Sequence, residues 1–324
     1  MAKNIEISVI SPVFNEEEVI SDFLNRITLV LKSITESFEI ICVNDGSKDG
    51  TLDLIVERRK TDPRIHIINL SRNFGKEAAL TAGLDHARGR AVIPIDADLQ
   101  DDPELIPDMV SKWREGYDVV VAVRSNRKSD SFLKRTTANA FYRIIKRTSG
   151  ASITPNAGDF RLLDRRVVNA LKQLPERTRF MKGLFPWLGF HQAFITYKRA
   201  PRAAGASKWR YWRLWNFALE GITSFTSLPL LIWTYVGSII AFSSFIYALY
   251  IVLRTLIYGV DVPGYASIIV LLLFLSGINL LSIGILGEYV ARIFLEVKRR
   301  PLYIIRDIYG LENRLKNKTN GDDF

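Results

Sequence analysis

Cysteine is all but absent from this chain, with one residue, Cys42, in 324. A single thiol excludes an intrachain disulfide framework and fits a reducing compartment, with Cys42 packed inside a strand. Histidine is scarce too, and His66, His86 and His191 show none of the spacing that a metal site needs. No Gly-x-Ser-x-Gly elbow appears, which argues against a serine hydrolase. The net charge of +10 is not accompanied by zinc-finger spacing, a recognition-helix signature or an RNP-like run, so nucleic acid is not the expected partner. Internal repeats and low-complexity linkers are lacking, and the first residues lead into a strand-like segment without the long apolar core of a secretory signal.

Charge itself is missing in two places. No charged residue occurs from Leu228 to Leu253 or from Gly264 to Gly287. At ~1.5 Å rise per residue each run can cross a hydrocarbon core of ~30 Å. We therefore expect two transmembrane helices, at about 228–253 and 264–287. Lys208, Arg210 and Arg213 precede the first, and Arg292, Lys298, Arg299 and Arg300 follow the second, while the connector carries one Arg and one Asp. By the positive-inside rule both flanks are cytoplasmic. The expected organisation is a cytoplasmic domain over 1–205, an amphipathic juxtamembrane helix over 206–227, the helix pair within 228–290, and a cytoplasmic tail over 291–324. From Lys208 to Trp215 basic and aromatic residues interleave, as an interfacial helix requires. Lys and Arg also crowd residues 124–147, a placement that fits anionic headgroups or a phosphorylated lipid. Leu302 to Ile308 is β-prone and is expected to pair near the membrane surface.

What is present is an alternation. Ile5 to Ile10, Glu39 to Val43, Ile65 to Leu70, Ala91 to Ile95 and Val119 to Ala122 read as strands. Glu16 to Thr35, Thr51 to Thr61, Lys76 to Ala87 and Pro103 to Glu115 read as helices. Such a pattern implies an α/β domain with a mainly parallel sheet, in which ligands sit at the carboxyl ends of the strands. Polar punctuation follows each strand: Ser11 to Glu17, Asn44 to Ser47, Ser71 to Lys76, and Asp96 to Asp98. Gly158-Asp159 looks like a further loop end.

The run Ile93-Pro94-Ile95-Asp96-Ala97-Asp98-Leu99-Gln100 aims two carboxylates and an amide off one of these strands. Hard oxygen ligands of this kind suit a divalent cation, magnesium or manganese, that is also held by substrate phosphates. The plainer reading is a solvated turn and helix start, since Asp101-Asp102 before Pro103 is ordinary N-cap chemistry.

Taken together, Ser11-Pro12-Val13-Phe14-Asn15-Glu16, Val43-Asn44-Asp45-Gly46-Ser47 and Asp96-Ala97-Asp98-Leu99-Gln100 resemble the family 2 nucleotide-sugar glycosyltransferases of the GT-A fold. Ser71-Arg72-Asn73-Phe74-Gly75-Lys76-Glu77, Gly158-Asp159-Phe160-Arg161-Leu162 and Gly205-Ala206-Ser207-Lys208 are similar to the polyprenyl-phosphate branch. That branch includes dolichol-phosphate mannose synthase and the bacterial GtrB-type glucosyltransferases, whose two C-terminal spans match this chain.

The resemblance implies that Pro12, Asn15, Glu16, Asp45, Lys76, Asp96 and Ala97 bind the nucleotide sugar. Asp98 and Gln100 would hold Mg2+ or Mn2+. Arg124, Arg127, Arg135, Arg202 and Lys208 would hold the acceptor phosphate, since arginine forks pair phosphate oxygens. Asp159, with Asp98, would be catalytic, Asp159 as the acceptor-side carboxylate that orients the phosphate more than it removes a proton. The implied reaction is inverting transfer of a hexose to a polyprenyl phosphate at the cytoplasmic face of the plasma membrane. Glucose from UDP-glucose and undecaprenyl phosphate are the leading choices, and GDP-mannose, UDP-N-acetylglucosamine or an aminopentose donor use similar loops. Ala206 departs from the Glu that relatives often carry. A processive polysaccharide synthase would add a Gln-x-x-Arg-Trp motif and further spans, and neither is present. A non-catalytic membrane scaffold is the remaining alternative, against which the joint retention of Asp45, Asp98, Gln100 and Asp159 argues. The short hairpin and β-prone tail favour a homo-oligomer.

Overall fold

Strand β1 (Ile7–Val13) is apolar but for two serines and buried along nearly its whole length, as a central strand covered on both faces must be. It pairs in parallel with β2 (Phe38–Asn44) on one side and with β4 (Ala91–Pro94) on the other. Beyond β2 lies β3 (Ile65–Leu70), again parallel. The computed structural model describes residues 5–124, 157–174, 176, 181–197, 228–258 and 264–311. Within them the remaining strands are β5 (Val119–Arg124), β6 (Ala157–Asp164), β7 (Gln192–Tyr197) and β8 (Ile305–Tyr309). All join one sheet in the order β7-β5-β6-β4-β1-β2-β3-β8. The sheet is mainly parallel, with β6 antiparallel to both neighbours and β8 antiparallel to β3.

Helix α1 (Ile20–Ile34) buries Ile20, Phe23, Leu24, Ile27 and Leu31, the i, i+3, i+4, i+7 stripe of an amphipathic helix. Each such side chain contributes roughly 1.5–3 kcal/mol when fully removed from water. The helix starts later than its pattern predicts because residues 15–17 are engaged elsewhere. Asn15 adopts φ 55, and the Glu16 and Glu17 amides donate to Thr51 and Asp49. Helices α2 (Thr51–Thr61), α3 (Lys76–His86) and α4 (Ile106–Arg114) follow β2, β3 and β4. Helices α5 (Arg165–Lys172) and α6 (Met181–Trp187) lie between β6 and β7.

The structure corrects one reading and supplies the partner for another. Gly158-Asp159 are not a loop end: they lie inside β6, where Phe160, Arg161 and Leu162 are all buried, so no hydrophobic alternation marks the strand. The β-prone tail finds its partner in the α/β sheet itself, adding β8 to the edge at β3.

The chain divides into two compact units, Met1–Leu214 with Pro301–Phe324, and Trp215–Arg300. The second contains α7 (Leu228–Tyr258, 31 residues) and α8 (Tyr265–Val297, 33 residues). Large apolar side chains stand exposed on both helices, Phe242 and Leu280 among them. Among the described residues, Phe274–Val297 is long and apolar enough to cross a membrane, and Tyr235–Tyr247 is a shorter apolar stretch.

Candidate active site

Four parallel strands deliver their carboxyl ends to one edge of the sheet, and the loops there enclose a cavity of about 320 Å³. From the end of β1 come Pro12, Val13, Phe14 and Glu16. From β2 comes Asp45, whose backbone N–H donates to the Val13 carbonyl at 2.9 Å. Its carboxylate accepts the Phe74 and Gly75 N–H groups at 2.7 and 2.9 Å, so it fixes the loop after β3. Burial pushes the Asp45 carboxyl above its ordinary range, against the pull of those two donors. Gly46 follows with φ 72, and a Cβ there would lie 2.6 Å from the Arg72 carbonyl carbon. Only glycine permits both the left-handed backbone and that close approach of the two loops.

The loop after β3 contributes Asn73 and Gly75, and α3 opens with Lys76. From the end of β4 come Asp96, Ala97 and Asp98. Leu99 adopts φ 57, and the Gln100 N–H turns back to Asp98 Oδ1 at 3.1 Å. The Lys76 ammonium donates to Asp96 Oδ2 and Asp159 Oδ2, each at 2.7 Å. Burial opposes its charge, yet the two carboxylates hold the Lys76 ammonium well above the usual lysine range. Burial also raises the Asp96 carboxyl, with Asp159 adding repulsion against the attraction of Lys76. Behind Asp159, the buried Arg161 guanidinium lies 4.1 Å from the Phe185 ring centre, and burial lowers its pKa to about 10. It remains a cation at neutral pH.

The cavity wall carries four carboxylates, Glu16, Asp45, Asp96 and Asp98, against one ammonium, Lys76. A diphosphate cannot enter such a wall without further positive charge, and oxygen ligands are those a hard divalent cation prefers. Among the described residues no cluster of three or more His, Cys, Asp or Glu could hold a metal by itself. A divalent ion at this wall would need substrate oxygens and water to complete its coordination.

Of the residues singled out in the sequence, Pro12, Glu16, Asp45, Lys76, Asp96, Ala97 and Asp98 all line this cavity, and Asp159 reaches it through Lys76. Asn15 and Gln100 do not. Asn15 accepts the Lys48 N–H and braces the neighbouring loop, and Gln100 is buried. Arg124 ends β5. Arg127, Arg135, Arg202, Lys208 and the amphipathic segment from Lys208 to Trp215 lie outside the described residues. Sequence reading missed Asn73 and the backbone donors of Phe74 and Gly75, although the Asn-Phe-Gly-Lys run after a strand carried the signal. It also missed Tyr197, whose hydroxyl donates to the buried Asp101 beside the Asp98 loop.

The family model described as glycosyl transferase family 2 matches residues 8–172. The chain is 55% identical to the uncharacterized glycosyltransferase sll0501 of Synechocystis over 98% of its own length and 99% of that protein. It is 49% identical to the SfII prophage-derived bactoprenol glucosyl transferase of Shigella flexneri over 93% of its own length and 98% of that protein. It is 43% identical to the uncharacterized glycosyltransferase YkcC of Bacillus subtilis over 97% of both chains.

Proposed function

Because the chain belongs to the family 2 glycosyltransferases and is a GT-A enzyme, we propose that it transfers glucose from UDP-glucose to a polyprenyl phosphate, with undecaprenyl phosphate as the acceptor. The observation that carries this reading is the reach of its likeness to the bactoprenol glucosyl transferases. That likeness extends far past residue 172, so it takes in the long apolar helices as well as the nucleotide-facing half. Two helices of 31 and 33 residues, with bulky apolar side chains facing outward, suit a lipid surrounding. On this reading both cross the plasma membrane, and the basic flanks keep the catalytic domain and tail in the cytoplasm.

Pro12, Glu16 and Asp45 accept and enclose the nucleoside, with the bracing of Asn15 behind them. Lys76 and Asp96 orient the sugar diphosphate. Asp98, with Gln100 next to it, would hold Mg2+ or Mn2+, which neutralises the departing diphosphate when bound. In the reaction the bond from the anomeric carbon to the β-phosphate oxygen breaks and its electron pair leaves with UDP. An oxygen of the lipid phosphate forms the new bond on the opposite face, inverting the configuration. That oxygen is already anionic near neutral pH, so positioning outweighs proton removal. Asp159 orients the acceptor, and its ion pair to Lys76 offsets the repulsion that a bare carboxylate would exert on a phosphate. Arg124, Arg127, Arg135, Arg202 and Lys208 supply the remaining positive charge for the acceptor.

The test is direct. Purified full-length protein in detergent is incubated with undecaprenyl phosphate and radiolabelled UDP-glucose, GDP-mannose or UDP-N-acetylglucosamine, with and without manganese or magnesium. Label from UDP-glucose should pass into the organic phase, and chelator or Asp98→Ala should abolish the transfer. A folded, UDP-binding protein that transfers no sugar would sink the proposal, and preference for another donor would replace glucose with that sugar.

A further inference from the structure

Four residues from four strands lie in one register row at the carboxyl edge of the sheet. Val13 pairs with Asn44, Asn44 with Asn69, and Asn69 with Asp307. In-register neighbours project to the same face about 5 Å apart, close enough for short polar side chains to touch. The last three do. Asn69 Nδ2 donates to Asp307 Oδ2 at 3.0 Å, and Asn44 Nδ2 donates to Asn69 Oδ1 at 2.9 Å. Asn44 Oδ1 then accepts the Ser47 N–H at 3.2 Å, and Ser47 Oγ accepts the Asn15 N–H at 3.0 Å. Asn15 Oδ1 closes the run by accepting the Lys48 N–H at 2.9 Å. A continuous hydrogen-bonded file thus leads from the tail strand β8 to the two loops that carry Asp45 and Glu16.

The two ends dictate its direction. An ionised Asp307 can only accept, and the Ser47 backbone N–H can only donate. Both amides in between must therefore present NH2 toward the tail and C=O toward the cavity. Asn44 and Asn69 are 2% and 4% exposed, so neither can exchange its partner for bulk water without cost. The same tail strand grips the loop after β3 at its base. The Ser71 N–H donates to the Ile304 carbonyl at 2.9 Å, and Arg306 donates to the Ser71 carbonyl at 3.1 Å. That loop supplies the Phe74 and Gly75 donors to Asp45.

We infer that Asp307, on the strand that follows the second long helix, is a positioning residue of the nucleotide pocket, acting through Asn69 and Asn44 on the Ser47–Asn15 loop pair. Asp307 does not line the cavity. It sets the orientation of two buried amides, and these hold the loops that receive the nucleoside. This rests on the assignment of the Asp45 cavity to the nucleotide, and it makes the tail part of the donor site rather than an edge cover alone.

Asp307 is exposed on an edge strand, so its removal leaves the hydrophobic core intact. In the full-length protein, Asp307→Ala should weaken manganese-dependent UDP binding on the order of three- to tenfold, the range for one lost hydrogen bond. KM for UDP-glucose should rise by a similar factor, with kcat within about twofold. Asp307→Asn, which still offers an acceptor oxygen to Asn69, should restore most of the affinity. Thermal midpoints are recorded in parallel. A lowered midpoint with unchanged UDP affinity, or equal weakening by Ala and Asn, would overturn the proposal. Asp45→Ala serves as the control. If it abolishes UDP binding while Asp307→Ala leaves it intact, the tail has no positioning role. If Asp45→Ala also binds UDP normally, the assignment of the cavity itself falls.

Discussion

The Lys76 ammonium donates to Oδ2 of Asp159 across 2.7 Å, tying the first residue of α3 to strand β6. Its second bond, to Asp96 at the same length, makes one cation the link between the two carboxylates that we propose serve the donor and the acceptor. Removing it leaves two like charges facing each other without that shared cation. Lys76→Met should lower kcat/KM for sugar transfer on the order of 100-fold, the scale for losing a preorganised charge in a site of this kind. Steady-state assays with both substrates varied check this. A loss below about threefold would mean that Lys76 is only a surface ion pair.

Much of this wall was legible in the sequence because its chemistry is local. Asp45, Asp96, Asp98 and Lys76 each sit within a few residues of a β-prone run, and the alternation of strand and helix already sends all of them to one sheet edge. What stayed hidden is non-local. The Asn69–Asp307 bond joins residues 238 positions apart, and no periodicity announces an edge partner that distant. Strand β6 escaped for another reason. Arg161 looks like a surface residue but is 3% exposed under Phe185, so tertiary packing overrode the pattern. The start of α1 was misread because Glu16 and Glu17 spend their amides on the β2–α2 loop instead of a helical turn.

Asp98 gives the second prediction. It lines the cavity, and its Oδ1 accepts the Gln100 N–H, a bond that an asparagine oxygen can keep. Asp98→Asn therefore preserves the loop while removing one negative charge. UDP binding followed by calorimetry should weaken by at least about tenfold in manganese, and the residual affinity should no longer respond to chelator. Wild-type protein should fall to that same residual level when the metal is stripped. Unaltered manganese dependence in the variant would exclude Asp98 as a ligand.

Gly83 tests the packing that sets the sheet edge. It lies in mid-helix α3, where alanine would ordinarily gain ~1 kcal/mol over glycine. Here a Cβ would fall 2.2 Å from Ile10 Cγ2 and 3.3 Å from Val43 Cγ2. Ile10 is β-branched and fully buried, so it cannot swing aside. Gly83→Ala should destabilise the protein, by about 1–3 kcal/mol as overpacked cores do. Combining it with Ile10→Ala should cost less than the two single changes added together, because the new methyl fills part of the space vacated. Chemical denaturation of the four proteins measures this, and simple additivity would contradict the contact.

His66 supplies a pH dependence whose sign follows from burial. The ring lies on β3 with Arg88 3.0 Å from Nε2 and Arg59 3.5 Å from Nδ1, while Glu39 is 3.6 Å away. Burial lowers its pKa to about 4, against the attraction of Glu39, and the two arginines add to the lowering. In the unfolded chain the same imidazole titrates near ~6.5. Between those values the unfolded state binds a proton that the folded state refuses, so stability is full above about pH 6.5 and is lost as pH falls toward 4. The slope from this one group is at most ~1.4 kcal/mol per pH unit. Carboxylates with ordinary pKa values contribute little above pH 5.5, and comparison with His66→Gln separates the histidine from the raised carboxyls of Asp45 and Asp96. The thermal midpoint should drop by a few degrees between pH 7 and 5.5 in the wild type. His66→Gln should flatten that portion of the curve. Parallel slopes in the two proteins would place the pH sensitivity elsewhere and leave His66 as a packed, silent ring.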